Sequence, residues 1–231
     1  MIDLKSALII IPTYNERESI AILLPEIFHR YPDISVLVVD DSSPDKTSER
    51  VRELSQRYSR LYLCERKMKE GLGPAYRAGF DWALEKEFQF IVQMDADGSH
   101  RPQDLEKILQ ALSRSDLVVG SRRVRGGAVK NWEWYRRILS WAGSAYASLL
   151  LRYPVRDWTG GFNGWRRKVL ERVSYATCSS QGYSFQIELK LSALRLNFSA
   201  EEVPIIFEER KVGQSKMSGS IIIEALHKVW T

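Results

Sequence analysis

Cysteine is nearly absent: Cys64 and Cys178 are the only two in 231 residues, and no CxxC spacing joins them. That rules out a disulfide framework and a cysteine-built zinc site, and leaves two thiols of a reducing compartment as the simplest expectation. No apolar stretch approaches the roughly 20 residues of a membrane-spanning helix. The N-terminal run from Ala7 to Ile11 is too short even for the core of a signal peptide. Low-complexity linkers and internal repeats are missing too, and 44% hydrophobic residues is ordinary for a globular core. The expectation is one large folded domain in the cytoplasm.

Charge is unevenly spread. The net +5 combines residues 1–120, with 16 Lys and Arg against 20 Asp and Glu, and residues 121–231, with 18 against 9. The N-terminal half is therefore net −4 and the C-terminal half +9. A basic half attracts anions, but no recognition helix, zinc finger or RNP pattern supports nucleic acid as the partner. Phosphorylated small molecules and anionic membrane surfaces remain.

What is present is an alternation of strands and helices. ALIII (7–11), SVLVV (35–39), LYLC (61–64), FIVQM (90–94) and DLVVG (116–120) read as strands. Helical spacing runs from Glu16 to Arg30, a helix capped by Ser42 or Ser43 is expected near Pro44, and another opens after Gly73-Pro74. Continuous Val, Ile and Leu strands separated by helices predict an α/β fold, a mainly parallel sheet with helices on both faces. Gly71-Leu72-Gly73 is only a fragment of a dinucleotide fingerprint and reads as a helix-start turn.

In such a sheet ligands bind beyond the carboxyl ends of the strands. The polar clusters fall there: Pro12 to Glu16 after the first strand, Asp40 and Asp41 after the second, Asp95 and Asp97 after the fourth, and Ser121, Arg122 and Arg123 after the fifth. Residues two apart in an extended chain point the same way, so Asp95 and Asp97 can face one point, and two anions sharing a point call for a cation. His29 and His227 read as helix-surface residues. His100 is the histidine near the acids, and is expected to be a loop donor more than a metal ligand.

PTYNE (12–16), VVDDSSPD (38–45), QMDADGSH (93–100), GSRR (120–123), TGGF (159–162), GYSFQIE (182–188) and FEERKVGQSKM (207–217) follow one another along nearly the whole chain. This series resembles the dolichol- and polyprenol-phosphate mannose synthases, inverting GT-A glycosyltransferases of glycosyltransferase family 2. The RxxGxSK pattern from Arg210 to Lys216 and the Trp- and Arg-rich segment from Asn131 are more particular to the polyprenyl-phosphate branch. The resemblance implies a Rossmann-like GT-A domain over residues 1–217, with an acceptor- or membrane-facing segment at 130–153. A helix at 218–231 would follow, with Ile222, Leu226, Val229 and Trp230 on one face.

The resemblance also implies the roles. Pro12, Tyr14, Glu16 and Asp41 contact the donor nucleotide, with Asp95 near ribose and metal. Asp95 and Asp97 hold Mg²⁺ or Mn²⁺, with Ser99 reaching it through water. Arg122, Arg136, Arg210 and Lys216 read phosphate, and Asp97, Arg122 and Arg136 carry the transfer. The implied substrates are GDP-mannose and a polyprenyl or dolichyl monophosphate, met at the cytoplasmic membrane surface. A lipid monophosphate with a second pKa of about 6 is already anionic, so positioning cations matter more than a general base. A related transferase using UDP-glucose or UDP-GlcNAc or another acceptor, and a catalytically silent nucleotide-sugar-binding protein, are the alternatives.

Overall fold

Strand β1 (Ala7–Thr13) shows why the apolar runs are continuous. Ala7, Ile9 and Ile11 enter one hydrophobic layer and Leu8 and Ile10 the other, all fully buried. The sheet is covered on both sides, so neither face of the strand can be polar. The computed structural model describes residues 2–131, 134–178 and 182–208. The helix expected at 218–231 lies outside the described residues, as do Arg210, Lys216 and Trp132.

The remaining strands are β2 (Ser35–Asp40), β3 (Leu61–Glu65), β4 (Phe90–Gln93), β5 (Leu117–Ser121), β6 (Ala128–Val129), β7 (Asn163–Arg166), β8 (Ala200–Pro204) and β9 (Ile206–Phe207). The helices are α1 (Arg17–Arg30), α2 (Thr47–Ser55), α3 (Leu72–Glu85), α4 (Leu105–Leu112), α5 (Trp134–Leu151), α6 (Arg167–Leu170) and α7 (Gly182–Arg195). Seven strands form the main sheet in the order β3-β2-β1-β4-β7-β5-β8, and β6 pairs with β9 beside it. Buried residues of α1, α2 and α4 cover one face, those of α3, α6 and α7 the other. A smaller cluster, Ala147, Val155, Trp158, Ile187 and Leu194, seats α5 against α7.

The five expected strands are present and parallel where they pair with one another. The departure is β7, which runs antiparallel between β4 and β5, with Val92 opposite Gly164 and Gly164 opposite Val118. Its sequence, NGWR, has no β-branched residue and no alternation, so nothing local marks it as a strand. Its place is set by what lies above it. A Cβ on Gly164 would come within 2.6 Å of Ile108 and 2.8 Å of Leu112, so only glycine lets α4 sit down on this strand.

Two helix starts differ from expectation. α2 begins at Thr47, not near Pro44, because Asp45 Oδ1 accepts from both the amide (3.0 Å) and the hydroxyl (2.6 Å) of Thr47. The serines expected as caps work elsewhere: Ser42 donates to the carbonyl of Arg66 and Ser43 to Asp40. α3 begins at Leu72, with Gly71 at φ 101° turning the chain into it, and Pro74 falls in the first turn, where no amide hydrogen is needed.

Gly164→Ala should therefore destabilise the fold by about 1–3 kcal/mol through overpacking under α4, read as a lower denaturant midpoint at unchanged m-value.

Candidate active site

The order β3-β2-β1-β4 means that the chain, after building outward from β1, returns to its other side, and the switch point between β1 and β4 opens a crevice at their carboxyl ends. The loops after β1 and β2 are knitted together there. The hydroxyl of Thr13 donates to Asp40 at 2.7 Å, the amide of Asn15 to Ser43 at 2.9 Å, that of Glu16 to Thr47 at 3.1 Å, and that of Arg17 to Asp45 at 3.0 Å. Asp40 is fully buried and also accepts from Ser43 and Ser48, so it is the knot of these loops and not a ligand-facing acid.

Asp41 points the other way, toward β3. Arg66 Nη1 donates to it at 2.8 Å, while Nη2 of the same guanidinium pairs with Glu70. Burial pushes the Asp41 carboxyl above its ordinary value, and Arg66 opposes the shift. Pro12 and Tyr14 are half-buried at the rim, with Lys69 Nζ 3.9 Å from the centre of the Tyr14 ring. Glu16 accepts from Ser19 at 3.0 Å. The four residues expected to hold a nucleoside thus line the loops after β1 and β2.

Asp95 and Asp97 follow β4. The Asp95 side chain is 33% exposed, while Asp97 is nearly covered and accepts the amide of Ser99 at 3.0 Å. Both carboxylates raise the pKa of Tyr76, after burial the main cause. A cleft of about 300 Å³ opens beside Asp97, between α1 and residues 98–103, with Glu208 at its edge. The hydroxyl of Ser99 is fully buried and finds no hydrogen-bond partner among the described residues. Two hard carboxylates on a short loop with an unpaired hydroxyl next to them suit a hard divalent cation. No group of three His, Cys, Asp or Glu side chains gathers among the described residues.

His100 accepts where a donor was expected. Its Nδ1 takes the amide of Asp95 at 3.0 Å, which places the ring hydrogen of the neutral form on Nε2. The ring stacks on Phe162 at 4.8 Å and meets Phe207 edge-on at 5.4 Å. Burial lowers its pKa, with Asp95 and Asp97 opposing. A neutral imidazole locked between two aromatic rings ties the acid loop to β7 and β9.

The basic residues divide. Arg122 turns inward: its amide and Nε donate to Asp157 Oδ2 at 2.9 and 2.8 Å, and Nη2 donates to Asp157 Oδ1 at 2.7 Å and to Thr159 at 2.9 Å. It is a buried, bidentate ion pair, not an open phosphate cradle. Arg123, a neighbour in the motif given no role from sequence, donates to Ser140 on α5 at 2.9 Å, and its Nε is buried without a partner among the described residues. Arg136 lies on α5 and its side chain is not described; Arg210 and Lys216 lie outside the described residues.

Sequence reasoning missed Asp157 and Lys190. Both are fully buried, and Lys190 Nζ donates to the carbonyls of Asp157, Trp158 and Gly160. Burial alone would raise the Asp157 pKa, but Arg122 and then Lys190 outweigh it and hold the carboxyl well below the ordinary range. The available signal was an Asp two residues before the TGGF segment and a lysine inside an otherwise apolar helix face; neither says what it meets. The Asp157 contribution to stability is fully present above the unfolded carboxyl value and is lost as pH falls through the lower folded one. Asp157→Asn should cost about 3–5 kcal/mol at neutral pH by leaving Arg122 buried without a counter-charge. In denaturation curves that gap from wild type should shrink below about pH 4.

Set against known proteins, the chain matches Glycosyl transferase family 2 over residues 8–174. It is 46% identical over 224 residues to a polyprenol monophosphomannose synthase of Mycolicibacterium smegmatis, covering 96% of this chain and 84% of that protein. It is 43% identical over 222 residues to an undecaprenyl-phosphate mannosyltransferase of Micrococcus luteus, covering 96% and 91%. Among solved structures, glucosyl-3-phosphoglycerate synthase from Mycobacterium tuberculosis with Mn²⁺, UDP and phosphoglyceric acid superposes with a TM-score of 0.73 at 16% identity over 96% of this chain and 78% of that one. A mannosyltransferase from Pyrobaculum calidifontis with GDP-Man and Mn²⁺ gives 0.62 at 21% identity over 91% and 58%. Those structures share the fold; the sequence matches run through the Asp95-Ala96-Asp97 loop and the ends of β1, β2 and β5, and by them the chain belongs to glycosyl transferase family 2.

Proposed function

We propose that the chain transfers mannose from GDP-mannose to a polyprenyl monophosphate, inverting the anomeric carbon and giving a polyprenyl-phosphate mannose. The observation that carries this reading is the identity of 46% and 43%, over 96% of the chain, to two enzymes named for mannosyl transfer to polyprenol or undecaprenyl phosphate. The acids at the strand ends support it. In this reading Pro12, Tyr14, Glu16 and Asp41 would contact the nucleoside. Asp95 and Asp97, with Ser99 behind them, would hold Mg²⁺ or Mn²⁺. When bound, that ion supplies positive charge to the departing diphosphate.

A phosphate oxygen of the lipid forms the new bond to the anomeric carbon as the bond to the diphosphate breaks. The oxygen is already anionic, so no side chain has to remove a proton. The chain's task is to hold two phosphate groups in line. Arg136 on α5, with Arg210 and Lys216, reads the acceptor phosphate in this proposal. Arg122, fixed by Asp157, contributes field and shape from below. Loss of a carboxylate from the acid pair should weaken transfer far more than folding. Asp97→Asn is expected to lower kcat/KM by at least about 100-fold with an unchanged melting temperature, and chelator to silence the native enzyme until Mg²⁺ or Mn²⁺ is restored. Labelled GDP-mannose, a short polyprenyl phosphate and organic extraction make the assay; full activity in excess chelator would overturn the metal role.

An acceptor of this kind resides in a bilayer, and no helix among the described residues is long and apolar enough to cross one. We infer peripheral binding at the cytoplasmic membrane surface through α5, where Trp134, Trp141 and Leu149 are 73%, 62% and 75% exposed. Large aromatic rings on a helix with a basic flank suit the headgroup layer. Cosedimentation with anionic vesicles is expected at low salt, release at high salt, and loss of binding when Trp134 and Trp141 are both changed to Ala. Retention of the double variant on vesicles would move the membrane contact away from α5.

A further inference from the structure

Lys190 has no part in the contacts proposed above, yet it is among the largest side chains with no solvent exposure. From α7 its Nζ lies 3.2, 2.9 and 2.7 Å from the carbonyl oxygens of Asp157, Trp158 and Gly160. Three acceptors match the three N–H groups of an ammonium; a neutral amine has two and leaves one carbonyl unserved. The loop they belong to, residues 157–161, touches both sides of the site. Asp157 and Thr159 hold Arg122. Gly161 packs toward the acid pair, where a Cβ would stand 3.8 and 3.9 Å from the two carboxylate oxygens of Asp95.

We propose that Lys190 is a positioning residue for glycosyl transfer: as an ammonium it fixes the backbone of residues 157–161, and through that loop sets Arg122 and the wall against Asp95. The inference rests on the transfer reading above. Four influences act on the ammonium. Burial is the largest and brings its pKa down to about 7; Asp157 opposes, Arg122 reinforces and Glu202 opposes. Glu202 on β8 also accepts the amides of Arg156 and Asp157 at 2.9 and 3.0 Å, so both acids stand beside the same loop. The third hydrogen bond is therefore present below about neutral pH and lost above it. Stability moves the other way. An unfolded lysine keeps its proton to about pH 10.4, so the unfolded chain binds more protons in that window and stability rises with pH there. A lysine that only supported the fold would not produce falling activity alongside rising stability.

The test follows kcat, donor KM and melting temperature from about pH 6 to about pH 9 for wild type, Lys190→Arg and Lys190→Met. Wild-type kcat is expected to fall several-fold through about pH 7–8 while donor KM holds and the melting temperature does not drop. Lys190→Arg, charged throughout, should move that fall above the measured range. Lys190→Met should show a kcat lowered about ten- to a hundredfold and flat in pH. An alkaline fall identical in wild type and Lys190→Arg, or wild-type kcat in Lys190→Met, overturns the proposal, and the first comparison decides even where Lys190→Met fails to fold. If wild type transfers nothing, the transfer reading fails instead. The loop clamp is then read from hydrogen exchange at one pH, where residues 157–161 must exchange faster in Lys190→Met than in wild type.

Discussion

A carboxylate without solvent exposure stays ionised only where cations and donors replace its water, and the end of β5 and the loop before β7 are arranged around meeting that condition for Asp157. Arg122 supplies a bidentate pair and its own backbone amide, and the ammonium of Lys190 sits one carbonyl away. Such a pair adds little net stability, because desolvating both ions costs about as much as their attraction returns. Its effect is directional. With Arg122 held from three atoms, the end of β5 and the loop before β7 have one relative placement. The neighbouring contacts, Thr159 on the guanidinium and Gly161 against Asp95, follow from that placement.

The loops after β1 and β2 surround a second buried acid with neutral groups instead. Asp40 is as buried as Asp157, but its partners are the hydroxyls of Thr13, Ser43 and Ser48 and one amide. The result is a crevice whose negative potential comes from fewer groups than the sequence advertises. Asp40 is satisfied internally and Asp41 is paired with Arg66, while Asp95 and Asp97 follow β4 at the switch point between β1 and β4.

His100 joins the two sides. The acid loop, β7 and β9 are otherwise separate in sequence, and a single neutral ring contacts all of them through the Asp95 amide, Phe162 and Phe207. Phe207 in β9 thereby sits against the loop expected to hold the metal.

Periodicity and composition made much of this legible. The Val-, Ile- and Leu-rich strands, the helices on both faces, and the position of Asp95 and Asp97 at a strand end follow from local pattern, because a strand buried on both sides must be apolar throughout. The motif series identified the family for the same reason: its residues are short, contiguous and chemically distinctive. Strand β7 was not legible, since NGWR becomes a strand only through pairing with β4 and β5 and through the room its glycine leaves for α4. Nor were the partners of Arg122 and Lys190. Thirty-five residues separate Arg122 from Asp157 and thirty separate Gly160 from Lys190, and no local rule distinguishes an arginine that faces a ligand from one that faces a buried acid. The amino-acid sequence by itself determined which residues could be buried and which chemistry the strand ends could offer. The tertiary structure alone decided which of those charges answer one another inside the protein and which remain for a substrate, because burial and pairing are properties of the assembled interior.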